Sequence, residues 1–200
     1  MNKSVTKIIF SLILCLCFLF LSACSEEKDK NNNNLIANPV LSESSYALGD
    51  YMGDYTVTDV NGNEYTFSKL LESKKAIVLN FWFINCGPCQ MEFPYLQAAA
   101  DKYNDDIVVL AINPTDDREN KIKDYAESNE LSLPFIKGEQ DWITAFNLQG
   151  FPTTVVIDSY GKIAFSHVGA VTQEGLFEDM FAFFSSDDYE HTIIKNINDF

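Results

Sequence analysis

Hydrophobic and polar positions divide this chain into an apolar leader, a polar stretch and a patterned remainder. Ile8 to Leu21 is almost wholly apolar, and Ser25 to about Ser45 is rich in Glu, Lys, Asn and Ser with no sustained apolar period. From Tyr51 the pattern becomes that of a folded domain. Tyr55-Thr56-Val57-Thr58 and Glu64-Tyr65-Thr66-Phe67, separated by Asn61-Gly62-Asn63, predict a β-hairpin. Ser68 is placed to cap a short turn through Leu71. Ala76 to Phe83 is mostly apolar, as expected of a central strand buried on both faces. Beyond it Met91, Tyr95, Leu96, Ala99, Ala100 and Tyr103 recur at helical spacing, with Pro94 expected to kink that helix.

The alternation continues to the end of the chain. Asp106 to Ile112 is a second buried strand, Asp117 to Asn129 a second helix, and a parallel crossover between the two strands fits that helix. Asp141 to Phe146 is a shorter helix. Thr153 to Asp158 and Lys162 to Val168, joined by Ser159-Tyr160-Gly161, form an antiparallel hairpin, and Thr172 to Phe184 is a final amphipathic helix. Its Phe177, Phe181 and Phe184 stripe reads as core. Ser185 to Phe200 is weakly patterned, and no repeat occurs. The order β-α-β-α with a closing β-β-α predicts an α/β fold, a central sheet with helices on both faces.

Composition sharpens the ends. With 200 residues and 46% hydrophobic content, a single domain with a real core fits alongside appendages. Lys3 and Lys7 give a basic start, the apolar run is short for a membrane span, and Leu21-Ser22-Ala23-Cys24 closes it with small residues. Residues 1–23 therefore read as a signal peptide. Its last four residues resemble the bacterial lipobox, which implies cleavage before Cys24 and lipid attachment to its sulfur; a plain secretory signal or an uncleaved anchor are the alternatives. Residues 24–48 read as a flexible tether, 49–185 as the domain and 186–200 as a C-terminal tail. About twenty residues of coil reach roughly 25 Å.

The net charge is −15, and loss of Lys3 and Lys7 leaves 12 of the 14 basic residues against 29 acidic ones, or −17. So acidic a surface repels nucleic acid and anionic lipid headgroups, which leaves the lipid to supply membrane attachment. Solubility is the simplest reading of the acid excess. The chain is taken as a monomer, without nucleic-acid partners.

The sharpest chemical signal is Cys86-Gly87-Pro88-Cys89, directly after the buried strand and at the start of a helix. Helix N-termini present unpaired N–H groups with partial positive charge, which stabilises thiolate over thiol. A free thiol pKa of about 8.5 falls by one to several units in such a place. Cys86 is then the nucleophile, and Cys89, one turn in, attacks the mixed disulfide that Cys86 forms. Pro88 gives up a donor that the first turn leaves orphaned anyway. Cys15 and Cys17 lie in the leader. A structural zinc site wants four ligands, and His167, His191 and Cys24 do not complete one, so no metal is expected. So short a loop constrains the unfolded chain little, which argues against a structural staple.

Leu79-Asn80-Phe81-Trp82 before the cysteines, Glu92-Phe93-Pro94 after them, and Gly150-Phe151-Pro152-Thr153-Thr154 before a hairpin carrying Gly161-Lys162 resemble the thioredoxin fold. More narrowly, the set resembles the TlpA/ResA branch of membrane-tethered thiol-disulfide oxidoreductases that face away from the cytoplasm, over about Gly49 to Phe184. The resemblance implies a mixed central sheet with an N-terminal β-hairpin extension, a nucleophilic Cys86, a resolving Cys89 and a cis peptide before Pro152. It implies substrate contacts near Asn85, Phe151, Pro152 and Trp82, with Trp82 packing beneath the active-site helix. Two departures stand out: Asn85 where the family usually has Trp, and Gln90 where a basic residue is common. Asn80 occupies the place of thioredoxin's buried acid, and an amide cannot shuttle a proton. Glu92, three residues past Cys89 on the same helix face, is the candidate proton acceptor, against an ordinary exposed Glu.

The reading is a lipid-anchored, extracytoplasmic oxidoreductase in the cell envelope that exchanges electrons with cysteine-containing client proteins. It needs no cofactor beyond the Cys86–Cys89 pair. The Gly-Pro pair, as in reducing thioredoxins, favours a reductant supplied by a membrane electron-donor reductase, with apocytochrome c maturation as a candidate process. The alternatives are an oxidant that installs disulfides, a redoxin-type peroxidase, and a Cu(I) carrier using Cys86, Cys89 and His167. A peroxidatic cysteine belongs in a Thr-containing context that the sequence lacks. Otherwise His167 alternates with Ile163 and Phe165 and reads as a packed or edge residue.

Overall fold

In the structure, a computed structural model that describes residues 45–200, two sheets carry the strands. The signal peptide, Cys24 and most of the tether lie outside the described residues. Strands β1 (Thr56–Thr58) and β2 (Glu64–Thr66) pair antiparallel as the expected hairpin. The larger sheet holds β3 (Ala76–Phe81), β4 (Ile107–Asn113), β5 (Phe135–Lys137), β6 (Thr153–Asp158) and β7 (Ile163–Val168). Its order is β5-β4-β3-β6-β7, with β3, β4 and β5 parallel and β6 and β7 antiparallel to their neighbours. Helices α1 (Phe67–Leu71), α2 (Gly87–Lys102), α3 (Glu119–Ser128), α4 (Asp141–Ala145) and α5 (Leu176–Phe184) cover it. The helix between β3 and β4 is α2; α3 connects β4 to β5.

The two faces of β3 explain the layers. Successive side chains on a strand point to opposite faces. Ala76 and Val78 join one core cluster with Phe93, Leu96 and Ala99 of α2 and Phe177, Met180 and Phe181 of α5. Ile77, Leu79 and Phe81 join the other, with Phe67 of α1 and Trp142 of α4. Burial of each large side chain contributes roughly 1.5–3 kcal/mol, so two such clusters hold the sheet between them.

Several expectations are corrected. Strand β5 was not expected: it is three residues long, too short for a periodic signal. Ser68 does not cap α1. Its N–H and hydroxyl instead donate to Asp54, at 3.0 and 2.9 Å. Helix α2 runs through Pro94, but Met91 and Tyr95 are exposed, and the buried positions are Cys89, Glu92, Phe93, Leu96 and Ala99. A buried carboxylate thus takes a core position that an apolar count assigns elsewhere. Helix α5 starts at Leu176, not Thr172, because Gly175 sits at φ 84° just before it.

Both proposed appendages pack on the domain where they are described. Tyr46 donates its N–H to the Ala145 carbonyl and shares a hydroxyl hydrogen bond with Tyr55, so folded structure begins before residue 49. At the other end Ile194 bridges Phe165, and Phe200 packs against Phe165, Phe183 and Phe184. Asp158 anchors this segment: Oδ2 accepts from Tyr189 at 3.0 Å and faces His191 Nδ1 at 2.5 Å, while Oδ1 accepts the N–H groups of Tyr160 and Lys162. The same turn needs Gly161. Its φ is 73°, and a Cβ there would lie 2.6 Å from the Tyr51 ring.

Candidate active site

At the carboxyl end of β3 the chain leaves the sheet, and a short loop delivers Cys86 to the N-cap of α2. Cys86 and Cys89 are joined in a disulfide with Cα atoms 5.2 Å apart. The Cys89 N–H donates to Cys86 Sγ at 3.2 Å. That donor, with the dipole of a sixteen-residue helix behind it, favours negative charge on Cys86 once the disulfide opens. Cys86 is 3% exposed and Cys89 fully buried, so the outer sulfur is the one a partner reaches.

The loop is held by Asp117, which the sequence reading passed over, and by Gln90, which it noted only as a departure. Asp117 Oδ2 accepts the Ile84 N–H at 2.9 Å, and Gln90 Nε2 donates to the Ile84 carbonyl at 2.8 Å. One peptide residue is thereby gripped on both sides. Burial pushes the Asp117 carboxyl up, but hydrogen bonds from Ile84, Asn113 and Thr115 outweigh it, together with the nearby Lys137 charge, and the net shift is downward. Gln90, a departure from the family pattern, has a definite role here. No spacing rule ties Asp117 to Ile84, because the contact spans thirty-three positions.

Glu92 is fully buried rather than exposed. Its Oε1 accepts from Asn80 Nδ2 at 2.8 Å and its Oε2 from the Val171 N–H at 3.0 Å. Burial raises its pKa to about 7, with the two hydrogen bonds opposing. It thus sits on the core face of α2, three residues from the buried Cys89. A carboxyl raised toward neutrality by burial, one helical turn from a cysteine on the same buried face, suits proton exchange.

The other candidate residues divide. Asn85 is exposed next to Cys86, and Phe151 is half-buried with its ring against Phe83 at 5.4 Å. The Phe151–Pro152 peptide is cis, and Pro152 is buried. Trp82 is fully buried, edge-on to Phe93 and Phe135 at 5.2 and 5.1 Å. It packs beneath α2 as expected, and a side chain with no exposed surface cannot contact a client, so its place among the substrate contacts is withdrawn. His167 is half-buried and stacks on Phe165, and burial lowers its pKa. Among the described residues no group of three or more His, Cys, Asp or Glu is placed to hold a metal ion.

With this geometry in view, comparison with known proteins is direct. The Redoxin family profile matches residues 47–182, most of the chain. The chain belongs to the redoxin family. Among curated redoxin-like relatives, the thioredoxin-like protein YneN of Bacillus subtilis is 29% identical over 129 residues, 63% of this chain and 74% of its own. Thiol-disulfide oxidoreductase ResA of Geobacillus kaustophilus is 28% identical over 144 residues, 71% of this chain and 81% of its own. Two solved structures share this redoxin's fold. StoA from Bacillus subtilis superposes with a TM-score of 0.54 at 18% identity, covering 64% of this chain and 94% of that one. A thiol:disulfide interchange protein from Bacteroides sp. gives 0.59 at 23% identity, covering 72% and 95%. The architecture is accordingly thioredoxin-like.

Proposed function

We propose that this redoxin is a lipid-anchored, extracytoplasmic reductant of disulfides in client proteins. The coarser class, thiol-disulfide oxidoreductase, rests on family membership and on curated relatives that carry that name. One observation carries the mechanism: Cys86 and Cys89 form a disulfide at the N-terminus of α2, with Cys86 Sγ accepting the Cys89 N–H.

In the reduced enzyme, Cys86 thiolate attacks a client disulfide, and one client sulfur leaves as thiolate. Cys89 passes its proton to Glu92 and attacks Cys86 Sγ; the second client thiolate leaves, and the enzyme disulfide forms. Two electrons have moved to the client. A donor dithiol from a membrane reductase reverses the cycle, and delivery to apocytochrome c is one use of the output. The exposed Asn85 beside Cys86 in the chain and the half-buried Phe151 supply client contacts, with the buried Pro152 setting the cis turn that carries Phe151. The anchor rests on Leu21-Ser22-Ala23-Cys24, and the direction on the Gly-Pro pair.

The test is insulin-disulfide reduction with single-cysteine variants. Cys86→Ala abolishes turnover, and Cys89→Ala accumulates mixed disulfides with clients. Normal turnover by Cys89→Ala would overturn the two-cysteine mechanism. The reduction potential of the pair, measured against glutathione, separates reductant from oxidant, since a more oxidising pair installs disulfides. Peroxide consumption without client reduction would favour a peroxidase, and stoichiometric tight Cu(I) binding without reductase activity would favour a metal carrier. For the anchor, Cys24→Ala releases the protein from membranes without unfolding it.

A further inference from the structure

Both oxygens of Glu92 already accept a hydrogen bond, one from Asn80 Nδ2 and one from the Val171 N–H. That arrangement suits the ionised carboxylate. When Glu92 takes a proton, the new O–H faces a donor whichever oxygen carries it, and a buried O–H without an acceptor is unfavourable. The Val171 N–H belongs to the backbone and cannot become an acceptor. Asn80 can.

Asn80 lies on the face of β3 that meets α2, directly opposite Thr154 of β6 in the sheet register. It is fully buried, and Thr154 nearly so. Its Nδ2 donates to Glu92 Oε1 and also to Thr154 Oγ1 at 3.3 Å, while its Oδ1 is buried with no hydrogen-bond partner among the described residues. All the satisfied bonding is therefore on one end of the amide. A carboxamide is nearly two-fold in shape, so a half-turn about its Cβ–Cγ bond exchanges oxygen and nitrogen with little displacement of its neighbours. After that turn, Oδ1 accepts from the protonated Glu92 and from the Thr154 hydroxyl, while Nδ2 takes the unpartnered place that Oδ1 held, a cost that the two new bonds offset.

We propose that Asn80 is a positioning residue for the Cys89 proton transfer: its carboxamide turns over as Glu92 gains or loses a proton, and so sets the pH at which Glu92 is a free acceptor. The proposal deepens the reading of Glu92 as proton acceptor and rests on it. No fixed charge on the surrounding elements competes for the role. Glu92's own helix carries Cys89 one turn before it, with Cys86 at the N-cap, the exposed Tyr95, and Asp101 and Lys102 at its far end, while β3 and β4 carry no ionisable side chain. On β6, Asp158 lies at the far end of the sheet, opposite Ala76. On β7, His167 pairs with Thr154 in register; on α5, Glu178 is paired with Lys102 and Asp179 is exposed, as is Glu174 before it.

The experiment is an NMR titration of the oxidised full domain, in which the cysteines do not titrate, following the Glu92 side-chain carboxyl carbon and the Asn80 side-chain amide. In the unaltered protein the Asn80 amide resonances step with the same midpoint as Glu92. Asn80→Leu removes both the donor to the carboxylate and the acceptor for its protonated form; the bond to the charged form is the stronger, so the Glu92 midpoint moves up by about one pH unit, a roughly tenfold change in proton affinity. In the reduced enzyme the pH midpoint of mixed-disulfide resolution moves with it, and a Glu92→Gln background abolishes that shift. Should Asn80→Leu fail to fold, Thr154→Val, which keeps shape and removes the hydroxyl, broadens or displaces the Asn80 step. Flat Asn80 resonances across the Glu92 titration, or an unmoved Glu92 midpoint in Asn80→Leu, would overturn the proposal. A rate profile unchanged by Glu92→Gln would overturn instead the proton-acceptor reading beneath it, so the two failures are distinct.

Discussion

Ile84 is the residue on which the geometry of the reactive loop turns, because its N–H and its carbonyl are both taken by side chains, Asp117 and Gln90. Hydrogen bonds to charged groups contribute about 1.5–3 kcal/mol, so Asp117→Ala should lower stability by that order and slow thiol-disulfide exchange, while Asp117→Asn recovers part of both. Denaturant midpoints and insulin turnover check this. The sign with pH is set by the depressed carboxyl: its contribution is present above the unfolded value near 4 and is lost as pH falls through the lower folded value. Glu92 has the opposite sign. Raised from 4.5 to about 7 by burial, it binds its proton more tightly in the folded chain, so its contribution is full below pH 4.5 and is lost as pH rises through 7. In the oxidised protein, stability relative to Glu92→Gln should therefore decline between those limits by an order of 3 kcal/mol, measured by urea unfolding across pH.

At the scale of elements, α1 shows a helix start completed from elsewhere in the chain. Its N-cap, Thr66, makes no side-chain capping bond, and Asp54 takes the Ser68 N–H instead. Asp54→Ala should cost about 1 kcal/mol, the usual size of a lost cap, with urea unfolding as the measure. Ser68 shows why local rules misplace such a cap: the residue type fits, but the partner comes from fourteen positions away. Elements with long apolar runs or stripes, such as β3, β6, β7 and α5, were legible because burial dictates their apolar content. Strand β5 was not, since three residues joined to β4 give no period. On α2 the apolar count chose Met91 and Tyr95, whereas a carboxylate with two hydrogen bonds holds the core position. The same limit applies to the site. Cys86, Cys89 and Glu92 were visible as a motif; Asn80's partners, Asp117 and the role of Gln90 depend on contacts between strands and loops that no spacing encodes.

Across the whole molecule, the sulfurs lie beyond the carboxyl end of β3 and the Asp158 anchor lies beside its amino end, since Ala76 pairs with Asp158 and Phe81 with Thr153. Chemistry and fastening are thereby separated by the length of the strand. Asp158→Ala removes the acceptor for Tyr189, His191 and two backbone N–H groups, and should cost roughly 2–4 kcal/mol by thermal or urea unfolding. The reduction potential of the cysteine pair should stay as it was. The flanks of the sheet carry a different consequence. On β7 the Gly49 N–H donates to the Ile163 carbonyl, the Ile163 N–H to Asp50 and the Ile194 N–H to Ala164, while on β5 the Val60 N–H donates to Phe135. Bare strand edges are templates on which other chains stack, and here much of each edge is already occupied by the protein's own backbone. An oxidoreductase that meets cysteine-bearing chains is thus shielded from polymerising with them: removal of residues 186–200 takes away the Ile194 bond and should open β7 around Ala164 and Phe165, and the truncated protein should scatter light and seed fibrils in the presence of a reduced, unfolded polypeptide where the full chain stays clear.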